Sequence, residues 1–217
     1  MRLMIAMTFV LLTSCSLAAK LTLMPSGAIG VDAAVALKAQ TKDAWKTLRE
    51  LDSSLPGDPV DPHLWQQGLG PQAKIVPGEG GTSATFLVSD PQRLFPELKT
   101  SADSWDLTLD RTTLRRLASL SSWGDSPAVD SLLPSPGTVI TEAEYRDLLV
   151  YLLGPGTAPV TAGALVDASQ IELTVVCLKP IKTAEGAKTV DGNRAVYRWP
   201  LVRVLALETP VRLHLTF

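Results

Sequence analysis

The sequence is poor in cysteine, in histidine and in excess charge, and each shortage closes off a class of function. Two cysteines, Cys15 and Cys177, cannot build the disulfide framework of a small secreted scaffold. Two histidines, His63 and His214, stand in separate segments and give no His-x-x-His pattern. No metal and no cofactor is expected. Lys+Arg number 20 against 22 Asp+Glu, a formal net charge of −2. A chain this close to balance offers no basic stripe for nucleic acid and no polybasic patch for anionic lipid. No apolar run reaches the roughly 20 residues that cross a bilayer as a helix. What is present is an ordinary globular composition, 46% hydrophobic and 19% charged, far from the polar signature of disorder.

The first informative stretch is at the start. Arg2 precedes a short apolar run, Leu3 to Leu12, which together make the charged and apolar regions of a signal peptide over residues 1–14. Leu12-Thr13-Ser14-Cys15 follows, with leucine at −3 and small residues at −2 and −1 before the cysteine. This tetrapeptide resembles the lipobox of bacterial lipoproteins. The resemblance implies acylation of the Cys15 thiol, cleavage just before it, and acylation of the new amino terminus with palmitate-like chains. Several chains anchor stably where a single one does not. Ser16 stands where an aspartate would favour inner-membrane retention in enteric bacteria. By resemblance to that sorting rule, the outer membrane is expected, with the domain facing the periplasm. Ordinary secretion, with cleavage after Ser16-Leu17-Ala18 and a soluble secreted or periplasmic product, is the competing reading. With Cys15 acylated, Cys177 has no intramolecular partner, so stability must come from core packing.

The remaining chain reads as α+β: an antiparallel sheet from N- and C-terminal strands, with a helical middle segment packed on one side. Residues 15–30 read as a lipid-anchored tether and entry strand, with alternation at Lys20-Leu21-Thr22-Leu23. Residues 31–217 read as one domain, within which 91–160 could form a helical subdomain. A helix is expected over 31–51, started by Asp32, with Leu37, Ala44, Trp45, Leu48 and Leu51 on its apolar side. Residues 55–72, rich in proline and glycine, read as loop, and 73–90 as a hairpin. Asp110 is placed to cap a helix carrying Leu114, Leu117 and Leu120. Thr141-Glu142-Ala143-Glu144 is a capping box, flanked by a staple from Ile140 to Tyr145. Residues 154–168 read as linker. Strands follow at 171–177, at 196–204 with Pro200 as an edge or kink, and at 211–217.

Few residues suggest chemistry. Asp58, Asp61 and His63 share the proline-rich loop, but Asp-Pro pairs are ordinary turn formers, and calcium needs denser oxygen ligands. Gly78-Glu79-Gly80-Gly81 lacks the Lys-Ser/Thr of a phosphate loop and has no helix directly after it. Gly124-Asp125-Ser126 resembles the nucleophile block of GDSL-type hydrolases, but Pro127 replaces the leucine and no Asp-x-x-His follows. A serine nucleophile needs a positioned base, for which His214 is the remaining candidate. Glu142 and Glu144 are explained by capping and the helix dipole. Cys177, in phase with Ile171, Leu173 and Val175, reads as core.

The chain is therefore expected to be non-enzymatic, with no catalytic residue assigned. The expected function is a periplasm-facing lipoprotein, attached through Cys15, that binds a protein partner in an envelope assembly. Pro77-Gly78-Glu79 leads into the alternating Thr82–Val88 and then Asp90-Pro91, after the early strand Leu21-Thr22-Leu23 and Cys15. That order resembles the outer-membrane lipoprotein of type VI secretion systems, and implies a like accessory role. The Lys-rich segment 31–51 replaces that family's early Val-rich strand, and residues 91–160 have no counterpart in it. Two further classes are an envelope hydrolase using Ser126, His214, Asp58 or Asp61, and a small-ligand carrier. The carrier would need a deep apolar pocket.

Overall fold

The first described element is a strand. β1 (Ser16–Leu23) turns Leu17, Ala19 and Leu23 inward and leaves Ala18 and Lys20 exposed, the period-two pattern of a strand with one covered face. In the computed structural model the described residues are 16–36, Lys42, Lys46, Arg49, Glu50, Ser53, 57–58, 60–79, 81–119, 133–135, 137–153 and 159–217. Cys15, residues 1–14 and Gly124-Asp125-Ser126 lie outside them.

β1 lies at the middle of a seven-stranded sheet. Its order is β3-β4-β2-β1-β7-β10-β9, built from β2 (Ile29–Ala36), β3 (Lys74–Gly78), β4 (Gly81–Val88), β7 (Gln170–Val176), β9 (Thr189–Asp191) and β10 (Arg194–Pro200). β1 pairs antiparallel with β2 and parallel with β7, so the N- and C-terminal parts of the chain meet along this strand. A second, four-stranded sheet runs β5-β6-β11-β8, from β5 (Lys99–Thr100), β6 (Ser104–Leu109), β8 (Thr183–Glu185) and β11 (Val211–Thr216). The α+β class is as expected. The expected single antiparallel sheet is in fact two sheets, and the larger is mixed.

Both the small sheet and the helices cover the same inner face of the large sheet, one at each end. At one end Leu17, Val35, Ala84 and Ile171 pack with Trp65 of α1 (Pro62–Leu69) and Leu114 of α3 (Arg111–Ser119). Tyr145 and Leu149 of α4 (Glu142–Leu153), Ala162 and Val166 of α5 (Pro159–Asp167), and Leu201 and Leu205 of α6 (Leu201–Ala206) complete this cluster. At the other end Leu23, Ile29, Val31, Val175 and Cys177 pack with Trp105, Leu107, Leu213 and Leu215 of the small sheet. The outer face is polar, with Lys20 and Arg198 paired to Asp32 and Glu172 across neighbouring strands. Exposed pairs of this kind contribute little stability.

Several local expectations differ from the structure. Asp32 sits in β2, so the helix expected from residue 31 does not start there; Ile29 to Val35 alternate into the core. Lys42, Lys46, Arg49 and Glu50 are helical and exposed, while Leu37, Ala44, Trp45, Leu48 and Leu51 lie outside the described residues. The expected loop at 55–72 contains α1. Asp61 accepts from the His63 amide and Pro62 occupies the first turn, so the Asp-Pro pair is a helix start. The expected linker at 154–168 contains α5, where small residues let α4 and α6 approach closely. The strand expected at 196–204 ends at Pro200, and α6 follows, with Leu201, Val202, Val204, Leu205 and Ala206 all buried. A short apolar run without periodicity does not discriminate strand from buried helix. Residues 184–193, expected as a turn, contribute part of β8 and all of β9.

Residues 91–160 hold β5 and β6 besides α2 (Pro91–Leu94), α3 and α4, and Leu114, Leu133 and Tyr145 share the main core. Arg111 ties this segment down by donating to the carbonyls of Ala206, Thr138 and Ile140. The hairpin β3–β4 forms as expected. A Cβ on Gly81 would overlap the Val35 carbonyl oxygen, which fixes glycine where β4 meets β2.

The capping box is realised. The Glu144 amide donates to Thr141 Oγ1 at 3.2 Å, and the Thr141 amide donates to Glu144 Oε2 at 2.8 Å. The Thr141 amide and hydroxyl beside it hold the Glu144 carboxyl below the usual glutamate range. Its contribution is therefore complete above the ordinary glutamate pKa and is lost as pH falls through the lowered folded value. Thr141→Ala is expected to lower stability by about 1 kcal/mol. Urea melts at neutral pH check this; an unchanged midpoint would refute it.

Candidate functional site

The inner face of the large sheet carries bulky side chains at its two ends and alanine between them. Ala19 of β1 pairs with Ala33 of β2, and Ala33 pairs with Ala84 of β4. Three adjacent strands thus place methyl groups at one level. On one side of this level lie Leu17 and Val35, and on the other Leu21, Val31 and Phe86. The helices close over the first group and the small sheet over the second. Between these two coverings a cavity of about 180 Å³ remains.

Its wall draws on both sheets: Leu17, Ala19 and Leu21 from β1, and Trp105, Leu107 and Leu213 from the small sheet. Among the described residues, every lining side chain is apolar or aromatic. Trp199 is held by stacking on Tyr197, with ring centroids 5.5 Å apart. Lining side chains that face an unfilled apolar space lack the packing contacts that an occupant would supply. An apolar occupant recovers those contacts. Among the described residues no charged group lines it, and a charged head there would lack a partner.

The residues singled out from sequence do not meet here. Asp58 accepts from the Val60 amide and Asp61 from the His63 amide, so both carboxylates organise the start of α1. Among the described residues, no group of three or more His, Cys, Asp and Glu could hold a metal ion. Glu142 and Glu144 lie in the first turn of α4, the Glu142 amide donating to Glu208. His214 sits on the outer face of β11 with Nδ1 3.1 Å from Asp106 Oδ2 on β6. Imidazole and carboxylate form an exposed pair across two strands, away from the cavity wall. Ser126, its proposed nucleophile, lies outside the described residues. Cys177 is in the core as expected, and burial pushes its thiol up to about 11, which keeps it protonated and unreactive at neutral pH.

Sequence reading identified the inward phase of several strands but missed the cavity. Its signal was the small residues at inward positions, Ala19, Ala33 and Ala84, which acquire meaning only once strand register aligns them.

No family model matches the chain, and no curated protein matches it. A solved structure similar to it is the NMR structure of the folded domain of LppM from Mycobacterium tuberculosis. The identity is 9%, over 94% of this chain and 88% of that one, with a TM-score of 0.39.

Proposed function

We propose that this chain is a non-enzymatic envelope lipoprotein, anchored through Cys15, that holds an apolar chain between its two sheets. The observation that carries the reading is the cavity of about 180 Å³, whose lining among the described residues is apolar. The anchor rests on the lipobox-like Leu12-Thr13-Ser14-Cys15. It is supported by the place of Leu17 in β1. Cleavage before Cys15 keeps β1 whole, whereas cleavage after Ala18 removes the buried Leu17 from the middle of the large sheet. Among the described residues no helix is long and apolar enough to cross a membrane. β1 follows the cysteine without a tether, so an acylated Cys15 would hold the domain against the lipid surface. Outer-membrane placement facing the periplasm remains part of the proposal.

The test is to fill the cavity. Ala19→Phe is expected to lower affinity for the fluorescent apolar probe N-phenyl-1-naphthylamine at least tenfold while far-UV circular dichroism stays unchanged. Both proteins would be made from residue 15 onward with Cys15→Ala, so that no detergent competes. Wild-type cavity lining that takes up no probe would sink the carrier reading. The anchor alone also suits a protein that binds an envelope partner. Recovery of one envelope protein after mild extraction, with no probe uptake, would favour that second function.

A further inference from the structure

Building on the carrier reading, we infer that the apolar occupant enters and leaves beneath residues 90–97, which act as a strap over one side of the cavity. The segment leaves β4 of the large sheet, forms the single turn of α2, and runs to Leu98 and β5 of the small sheet. It therefore crosses from one sheet to the other. β3 pairs with β4 only as far as Thr85. Beyond that point, among the described residues, β4 is the margin of the large sheet, and its Phe86 and Val88 line the cavity. Within the strap, Pro91 and Phe95 line the cavity, while Gln92, Arg93, Pro96 and Glu97 are exposed to solvent. On this side one thickness of chain separates the apolar space from water.

The strap is also tied least to the rest of the fold. Among the described residues, its hydrogen bonds close within it or onto the adjoining Leu98. The Arg93 amide donates to Asp90 Oδ1 at 3.3 Å, the Phe95 amide to the Pro91 carbonyl at 2.9 Å, and the Leu98 amide to the Phe95 carbonyl at 2.9 Å. The other segments of the wall are bonded across to a neighbour. β1, β2, β4, β7 and β10 are laddered in the large sheet, β6 and β11 in the small one, and Arg111 joins α3 to α6. Opening through any of these breaks bonds between elements. Lifting the strap breaks none of them and costs only the apolar contacts of Pro91 and Phe95. Segments with few ties of this kind open most readily, and binding-site lids are drawn from them. β4 and the buried Leu98 hold the two ends of the strap, so the sheets stay in place as it lifts.

Stopped-flow fluorescence with N-phenyl-1-naphthylamine reads the route, in the chain from residue 15 with Cys15→Ala as parent. Asp90→Ala removes the cap of α2, and Pro96→Gly frees the backbone near the other end of the strap; neither residue lines the cavity. Loss of a capping side chain should raise the population of the open strap about fivefold. Association and dissociation of the probe are then expected to quicken by that same factor in each variant, with Kd unchanged, because a gate scales entry and exit alike. Thr141→Ala weakens the fold through α4, outside the cavity wall, and is expected to leave both rates as they are. Rates unaltered by both strap variants, a change confined to dissociation, or equal quickening by Thr141→Ala would overturn the strap and leave the carrier reading standing. A parent chain that takes up no probe would overturn both.

Discussion

Cys15→Ala is expected to abolish palmitate labelling and the acyl-anchored mature form of the protein. Wild type should resist a high-salt wash and leave membranes only with detergent, because each buried methylene of several acyl chains contributes about 0.8 kcal/mol. Electrostatic binding would wash off, since salt screens it within about 10 Å at 0.1 M. The near-neutral charge offers little of it in any case. Without the thiol the signal segment cannot be cut by the lipoprotein route. The mutant should persist as uncut precursor or be cut after Ala18. The second product begins inside β1, so it should be degraded rather than accumulate. Fractionation with metabolic palmitate labelling reads both effects. Wild-type protein that is soluble and unlabelled would remove the anchor, and with it the envelope setting of the proposed function.

A chain beginning at Ala19 should fail to fold as the chain beginning at Ser16 does. The three residues it lacks pair on both sides, Ser16 with Ala36 and Gln170, Leu17 with Val35 and Ile171, Ala18 with Ala34 and Glu172. Removal strips ladder bonds from both neighbouring strands and empties the site of Leu17, which is 3% exposed. A buried leucine alone contributes about 2–5 kcal/mol. Unpaired amides and carbonyls along a central strand add to that loss. Against a total of about 5–15 kcal/mol, the shortened chain should show either no cooperative melt or a Tm at least about 10 °C lower. Equal melting curves for the two chains would restore cleavage after Ala18 as a workable route to a mature protein.

The sequence by itself determined the elements whose signals are local. The capping box at Thr141 and Glu144 needs only residues three apart, and it formed with both reciprocal bonds. Asp110 caps α3 through the Thr113 amide for the same reason. Alternation marked β11 and placed Cys177 in the core, because period-two patterning survives wherever one face of a strand is covered. Sequence reading went astray where a local signal had two meanings. Asp61-Pro62 serves a turn or a helix start, and Leu201 to Ala206 could be buried as either strand or helix. What decided those cases was the surface waiting to cover them.

The site belongs to tertiary structure alone. Ala19, Ala33 and Ala84 are far apart in the chain and unremarkable in it; strand register brings their methyl groups to one level. Trp105 reads as an ordinary core aromatic until the small sheet sets it in the wall of the cavity. A cavity is a volume that side chains from several strands fail to fill. No single stretch of sequence encodes it, because it depends on how two sheets and a layer of helices divide one apolar face between them.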